Sequence, residues 1–273
     1  MDNISDRLFI LLYNTLWACF DQILWLWGML FMVGFALHVI SELRGKALAQ
    51  SVGPKADLFF TGWIGTPVHE MGHAVFCFVF GHKITEIKFF SPSDDGTLGY
   101  VKHEYNPKNS YQKIGNFFIG IAPMLFGSAV IYALLGILLP QCLPQKLNAS
   151  IAETGFELFK NLFSKDNLGN WRFWAFIYLS LGIASHIKLS VPDFKGAVSG
   201  FSTLLCLIFL VNFIANAILD FGLKDLPVSG WLTAKMDIFL SIFYSIMLYA
   251  LSLSLAYLLL SYLLLGAAKL IRK

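Results

Sequence analysis

Long apolar runs separated by short polar connections dominate the chain. A helix needs roughly 20 apolar residues to cross the hydrocarbon core of a bilayer, so each long run is a candidate transmembrane helix. An earlier apolar stretch, 8–20, ends at Asp21 and Gln22, which leaves two interpretations: an interfacial helix, or half of one long kinked span. After it, the pattern predicts about six spans, at 23–40, 58–80, 117–139, 171–187, 197–219 and 238–266.

Two connections have patterns of their own. The segment that begins at Lys83 and ends at Tyr105 is rich in β-branched and aromatic residues and contains an Asp-Asp-Gly turn at 94–96, which predicts a β-hairpin. In 151–162, apolar residues recur at helical spacing among charged ones, which predicts a short amphipathic helix on the membrane surface. The predicted fold class is an all-α polytopic membrane protein with a small β-hairpin, built as a single integral membrane domain over residues 1–273.

The composition agrees with a lipid environment. Hydrophobic residues make up 57% of the chain and charged residues 14%, whereas a soluble domain carries about 25% charged residues. The net charge of +3 has no basic stripe behind it, so we predict the lipid bilayer as a partner and no nucleic acid. If the 83–113 connection is cytoplasmic, 11 Lys and Arg residues lie on that side and 9 on the other. This bias predicts a multi-pass protein whose active site lies toward the cytoplasm.

The second apolar run contains the sequence His69-Glu70-Met71-Gly72-His73, an H-E-x-x-H pattern. Positions i and i+4 share one face of a helix, so both imidazoles can bind one Zn²⁺ while Glu70 acts as general base toward a water molecule. Such side chains are costly in lipid and by default indicate a functional site. The alternative is a structural cluster of polar side chains within the helix.

A catalytic zinc site needs a third protein ligand and an open position. The metzincin extension is absent, because Val79 occupies the place of its third histidine. Asp193 differs from the other candidates because it lies in a turn between two apolar runs, where a carboxylate must face protein, water or a metal. The candidate third ligands are His82, Glu86, His103, Glu104, His186, Asp193 and Asp220.

These features together resemble the site-2 protease family of intramembrane zinc metalloproteases: H-E-x-G-H in an apolar helix, a following hairpin, a third span with Gly and Pro, and a late Asp-x-x-Gly turn. The resemblance covers 58–219 and leaves the N-terminal segment 1–56 and the last helix, 236–273, as peripheral elements. It implies that His69, His73 and Asp193 bind zinc and that Glu70 is the catalytic base.

The chain departs from the family in three respects. Members often carry Asn-x-x-x-Gly-Pro in the third span, whereas here Asn116 stands near Gly120-Ile-Ala-Pro123. Many have Leu-Asp-Gly, but in this chain Asp193 and Gly196 are separated by two residues. No PDZ-like insertion is present, since the longest connections are about thirty residues. The resemblance is therefore to a divergent member without a PDZ domain.

Several further residues are predicted to support the site. His186, seven residues before Asp193, could donate a hydrogen bond to it, and Asn116 and Pro123 lie in the third span. The hairpin could bind an unwound substrate as an added strand, or it could simply cover an edge.

The predicted function is that of a zinc metalloendopeptidase that hydrolyses peptide bonds in or near transmembrane segments of protein or peptide substrates, with a regulatory partner possible. Two alternatives are a catalytically inactive relative that binds membrane helices and a transmembrane metal carrier. The intact H-E-x-x-H pattern argues against the first, and the concentration of ligands at one level argues against the second.

Overall fold

The computed structural model describes residues 4–53, 55–93, 96–143, 151–220 and 228–271, which are mostly helical. Two π-helical segments, Ile23–Gly28 and Leu58–Gly62, precede α2 and α3, and a 3-10 turn, Pro140–Cys142, follows α4. Within those ranges the helices are α1 Ile4–Gln22, α2 Met29–Ser51, α3 Trp63–Val79, α4 Ser110–Leu138, α5 Ile151–Leu162, α6 Lys165–Leu168, α7 Trp171–Ala184, α8 Val191–Asp220 and α9 Val228–Ile271.

The first two helices form one continuous helical run. The π-helical turn Ile23–Gly28 joins α1 directly to α2, with no break at Asp21 or Gln22. Gln22 exchanges two hydrogen bonds with Asn212 of α8, at 3.1 and 2.9 Å, which pairs the side-chain amides of the two helices. Of the two interpretations of 8–20, the structure therefore supports half of a long helix.

Three helical segments in the described parts of the chain are long and apolar enough to cross a membrane: Ser110–Leu138, Val191–Ala217 and Ser241–Ile271. They overlap the predicted spans 117–139, 197–219 and 238–266. Ile137 and Leu263 are each 72% exposed, as expected of helices whose outer faces contact lipid. The other three predicted runs are also helical, in α2, α3 and α7 with their flanking turns.

Helix α4 lies at the centre of the core. It packs along α8 on one side and against α3 and α7 on others, and its Phe117, Ile121 and Met124 are fully buried. Two glycines allow these close approaches. A Cβ at Gly120 would collide with the carbonyl oxygen of Asp193, and a Cβ at Gly72 would lie 3.1 Å from the carbonyl oxygen of Ala122. The glycines therefore let α3 and α8 approach α4 closely enough to share a site.

The helices outside 58–219 also pack on this core. Helix α2 runs along α9, and α9 contacts α4, α5 and α7. The predicted amphipathic helix is present as α5, with Leu158 and Leu162 buried, although Phe159 is 53% exposed.

The predicted hairpin is confirmed. Strands β1 (Lys83–Lys88) and β2 (Tyr100–Glu104) pair antiparallel, and the register is irregular between Ile84 and Glu86. In the predicted turn, residues 94 and 95 lie outside the described residues, while Gly96 has a φ of 86°, which a glycine adopts without strain.

Candidate metal centre

Three of the predicted side chains converge. His69 and His73 lie one turn apart on α3, and Asp193 reaches them from the first turn of α8. The two Nε2 atoms are 3.2 Å apart, and carboxylate oxygens of Asp193 lie 3.5 Å from Nε2 of His69 and 3.1 Å from Nε2 of His73. The three side chains are mostly buried. One potential ligand atom from each residue lies within 4.8 Å of the others.

The ring of His73 is oriented by a carbonyl group of α4 that lacks its usual backbone donor within that helix. Nδ1 of His73 lies 2.9 Å from the carbonyl oxygen of Ile119 in α4. A helical carbonyl normally accepts from the amide four residues later, but that residue is Pro123, which has no N–H. Because a carbonyl only accepts, Nδ1 carries the hydrogen and Nε2 presents its lone pair.

The ring of His69 is oriented by a carbonyl group at the end of another helix. Nδ1 of His69 lies 2.7 Å from the carbonyl oxygen of His186, two residues beyond the last residue of α7. Carbonyls at a helix C-terminus lack intrahelical donors and are therefore open to side chains. The same reasoning assigns the hydrogen of His69 to Nδ1 and its lone pair to Nε2.

A capping box at the start of α8 orients Asp193. The amide of Ser190 donates to Oδ2 of Asp193 at 2.8 Å, and the amide of Asp193 donates to the hydroxyl of Ser190 at 3.2 Å. This reciprocal pair is characteristic of a helix N-terminus, where the helix dipole also favours a carboxylate. The sequence interpretation of this segment as a turn missed Ser190, although its spacing three residues before an acidic residue and an apolar run was visible.

The donor set fits a divalent cation. Two imidazole lone pairs and a carboxylate point toward one another, so a proton or a metal ion must separate these acceptors. In a tetrahedral zinc site with ligand distances of about 2.0–2.2 Å, neighbouring ligand atoms are about 3.3–3.6 Å apart. The 3.2 Å between the two Nε2 atoms is close to that spacing, and Asp193 offers a different oxygen to each ring, Oδ2 at 3.5 Å from His69 and Oδ1 at 3.1 Å from His73. Two nitrogens and one oxygen also leave a fourth position for water or substrate, as catalytic zinc sites do.

Glu70 lies beside these three residues and against the hairpin. Glu70 is 7% exposed, and its carboxyl group interacts electrostatically with His69, His73 and Asp193. A Cβ added at Gly99, which immediately precedes β2, would lie 3.0 Å from Cγ of Glu70. The polypeptide at the start of β2 therefore passes directly over the predicted general base.

The predicted supporting residues occupy different positions. Nδ1 of the His186 ring lies 3.1 Å from the carbonyl oxygen of Gly182. The contribution of His186 to the site is its backbone carbonyl, which contacts Nδ1 of His69. Asn116 is buried on α4, and its Nδ2 has no hydrogen-bond partner among the described residues. Pro123 acts through the carbonyl of Ile119, as above.

The other candidates for a third ligand form contacts elsewhere. His82 and His103 pair with each other, with their Nδ1 atoms 3.0 Å apart, while Glu86 bonds to Lys102 and Tyr100. Burial and the neighbouring His82 ring lower the pKa of His103 to about 4, and the hydrogen bond from Lys102 lowers the pKa of Glu86. Glu104 is exposed on β2, and the side chain of Asp220 lies outside the described residues.

Comparisons of the chain with protein-family models, curated proteins and solved structures give no match. The interpretation of the site therefore depends on the residues themselves: the H-E-x-x-H helix, the converging carboxylate and the carbonyl groups that orient the two rings.

Proposed function

We propose that this protein is a zinc metalloendopeptidase of the membrane that hydrolyses peptide bonds in or near transmembrane segments. The observation that carries the proposal is the convergence of His69, His73 and Asp193 with Glu70 beside them. Both rings have Nδ1 directed to a carbonyl, which leaves Nε2 for the metal. A structural polar cluster would need a proton in place of the metal between these groups, so measured zinc binding distinguishes the two.

The proposed roles follow from the positions of the side chains. His69, His73 and Asp193 would hold the metal, and the capping box would keep Asp193 aimed at the histidines. When bound, Zn²⁺ supplies Lewis acidity that polarises a carbonyl oxygen and acidifies a water molecule. Glu70 accepts one proton from the attacking water and delivers it to the amine nitrogen as the C–N bond breaks.

We propose that the protein has six membrane spans, formed by the run α1–α2 and by α3, α4, α7, α8 and α9. The site would lie toward the cytoplasmic side. The three long apolar helices support a membrane location, and the site lies among α3, α4 and α8 at the level where α8 begins. A transmembrane substrate hides its peptide bonds in helical hydrogen bonds, so it must unwind locally before cleavage. The hairpin beside Glu70 is then positioned to bind the unwound segment as an added strand.

A cleavage assay with a matched base variant tests the proposal. The protein would be reconstituted in nanodiscs with Zn²⁺ and a panel of labelled single-span peptides, with products identified by mass spectrometry. Glu70→Gln should bind zinc as tightly as the wild type and lose cleavage by about 10²–10⁴-fold, since it removes only the base. Full cleavage by Glu70→Gln would contradict the assigned role.

Zinc binding in the same preparation and zinc transport in sealed vesicles test the two alternative functions. A single tightly bound zinc without cleavage of any peptide would favour an inactive relative that binds membrane helices. Zinc transport across the bilayer of sealed vesicles, lost in His73→Ala, would favour a metal carrier.

A further inference from the structure

Side chains from three helices donate hydrogen bonds to three successive carbonyl groups at the end of α7. The last of these carbonyls belongs to His186 and orients His69, as described above. The donors and distances are Ser254 of α9 to Ala184, 3.2 Å; Ser41 and Arg44 of α2 to Ser185, 3.4 Å each; and His69 of α3 to His186, 2.7 Å.

The α7–α8 connection also continues into the third ligand. It runs from Ser185 to Ser190, and Ser190 caps α8 and orients Asp193. His38 of α2 approaches the carbonyl of Leu189 at 3.1 Å. One short segment therefore positions both His69 and Asp193, and α2 contacts it at both ends.

Arg44 is the most unusual of these donors because its charge is almost completely buried. Its side chain is 1% exposed, its Nη2 lies 2.7 Å from Oδ2 of Asp57, and its guanidinium lies 5.0 Å from the ring centroid of Tyr257. Asp57 in turn accepts a hydrogen bond from Thr61 at 2.9 Å, just before α3. A buried ion pair is rarely a net source of stability, because desolvation offsets the attraction, so stability alone does not account for this one.

We propose that Arg44 is a positioning residue for the metal centre: it fixes the end of α7 through Ser185 and so holds the His186 carbonyl against His69. This inference rests on the proposed metal centre. Arg44 lies outside the region that resembles the protease family, and it touches no ligand directly. Because Ser185 and His186 are adjacent, a shift of the first carbonyl moves the second. A displacement of about 1 Å would lengthen the 2.7 Å contact beyond hydrogen-bonding range.

Metal affinity and the cobalt spectrum test this role independently of activity. Zn²⁺ affinity would be measured by competition with a chelator, and the visible absorption of the Co²⁺-loaded protein would report ligand geometry. Arg44→Met should weaken Zn²⁺ binding about tenfold, the lower end for loss of an outer support, and shift the Co²⁺ bands. Arg44→Lys, which keeps the charge beside Asp57, should fall between Arg44→Met and the wild type.

Asn167→Ala is the matched control. Asn167 is buried and bonds to the backbone carbonyls of Asn161 and Leu162, far in sequence from α2 and the ligands. Its loss should lower the melting temperature while leaving Zn²⁺ affinity and the Co²⁺ spectrum unchanged. If Asn167→Ala weakened zinc binding as much as Arg44→Met at an equal loss of stability, Arg44 would have a purely structural role and the inference would be overturned.

A double variant excludes the effect of an unpaired buried charge. In Arg44→Met/Asp57→Asn no lone charge remains, so stability should recover toward that of the wild type while zinc affinity stays low. Recovery of both would overturn the inference. If Arg44→Met does not fold, Ser41→Ala/Ser254→Ala removes other donors to the same carbonyls and should weaken zinc binding by severalfold; unchanged affinity would count against the role.

A separate variant tests whether the proposed metal centre binds zinc at all. His69→Ala should abolish tight binding, and if it binds Zn²⁺ like the wild type the proposed function is wrong whatever Arg44 does. Loss of binding in His69→Ala together with unchanged affinity and spectrum in Arg44→Met would reject only the positioning role.

Discussion

The two histidines of the candidate centre are oriented in physically different ways. The partner of His73 is a carbonyl in the middle of α4, made available by Pro123 in the same helix. The partner of His69 is a carbonyl beyond the end of α7, whose position depends on donors from α2 and α9. The carbonyl that orients His73 is therefore freed by one residue of its own helix, although its contact with His73 needs α3 to pack on α4. The carbonyl that orients His69 is in addition held by donors from other helices, so His69 should be more sensitive to distant substitutions.

Removal of either imidazole ring should have the largest effect on zinc affinity, and the loss should be the same for both rings. His69→Ala and His73→Ala each delete one of three ligands, so we expect zinc affinity to fall by on the order of 10³-fold in both. Zinc content after dialysis against a chelator measures this. Loss of zinc in one variant only would contradict a shared site.

Pro123→Ala should disturb the orientation of His73 but not that of His69, and it should change zinc affinity and thermal stability in different ways. The new N–H at 123 would donate to the Ile119 carbonyl and compete with Nδ1 of His73. Zinc affinity should fall about tenfold, while thermal stability should be retained or rise because a helix-interior proline is removed.

Pro67→Ala in α3 is the control for that substitution, since it also removes a helix-interior proline. The carbonyl it would engage, that of Trp63, is not the partner of either His69 or His73. Zinc binding should therefore be retained. Equal losses of affinity in Pro67→Ala and Pro123→Ala would mean that the proline acts only on helix geometry.

The difference between the two histidines also marks how far the sequence could predict the site. His69, Glu70 and His73 were indicated by the H-E-x-x-H spacing on a helix. Asp193 was one of seven candidate third ligands, favoured by its polar position between apolar runs and implied as the ligand only by the resemblance to the protease family. That Pro123 frees the carbonyl of Ile119 was predictable from the i to i−4 rule, but its partner was not, because α3 and α4 meet only in the folded chain. The network of Arg44 joins residues more than a hundred positions apart and has no local signal.

The fold shows the same division between local and distant information. The hairpin and the long apolar helices follow from local alternation and hydrophobic runs. Gln22, within the continuous run of α1 and α2, pairs with Asn212, which is 190 residues away in sequence. Patterns within one element were therefore predictable, whereas the hydrogen-bond partners between elements required the structure.

Ser190→Ala should have a smaller effect, directed at the third ligand rather than at the rings. It removes the hydroxyl that caps α8 but leaves the Ser190 amide, which still donates to Asp193. We expect a loss of about 1 kcal/mol in the free energy of unfolding and a severalfold loss of zinc affinity. Chemical unfolding and chelator competition measure the two. Ser199→Ala, on the exposed side of α8, is the control and should change neither.

The smallest expected effect concerns a pair of histidines that has no carboxylate between its rings. His82 and His103 face each other through Nδ1, 3.0 Å apart, so at most one of the two Nδ1 atoms carries a hydrogen, and Nε2 of His82 lies 2.7 Å from the carbonyl of Gln112, to which it donates. The pKa of His103 is lowered from 6.5 to about 4 by burial and by His82. Between these values the unfolded hairpin binds a proton that the folded one does not, so hairpin stability should fall as the pH drops from 6.5 to 4.

Hydrogen exchange of the β1 and β2 amides as a function of pH measures this effect. His103→Phe should flatten the pH dependence, because the titrating ring is gone while an aromatic side chain remains beside His82. The exchange rates would be corrected for the intrinsic pH dependence of amide exchange. A pH dependence that persists unchanged in His103→Phe would assign the titration to another group. Among the described residues no third metal ligand accompanies this pair, so His82→Ala should leave zinc content unaltered, whereas His73→Ala should not. That contrast would show that two facing imidazoles are not sufficient for the metal.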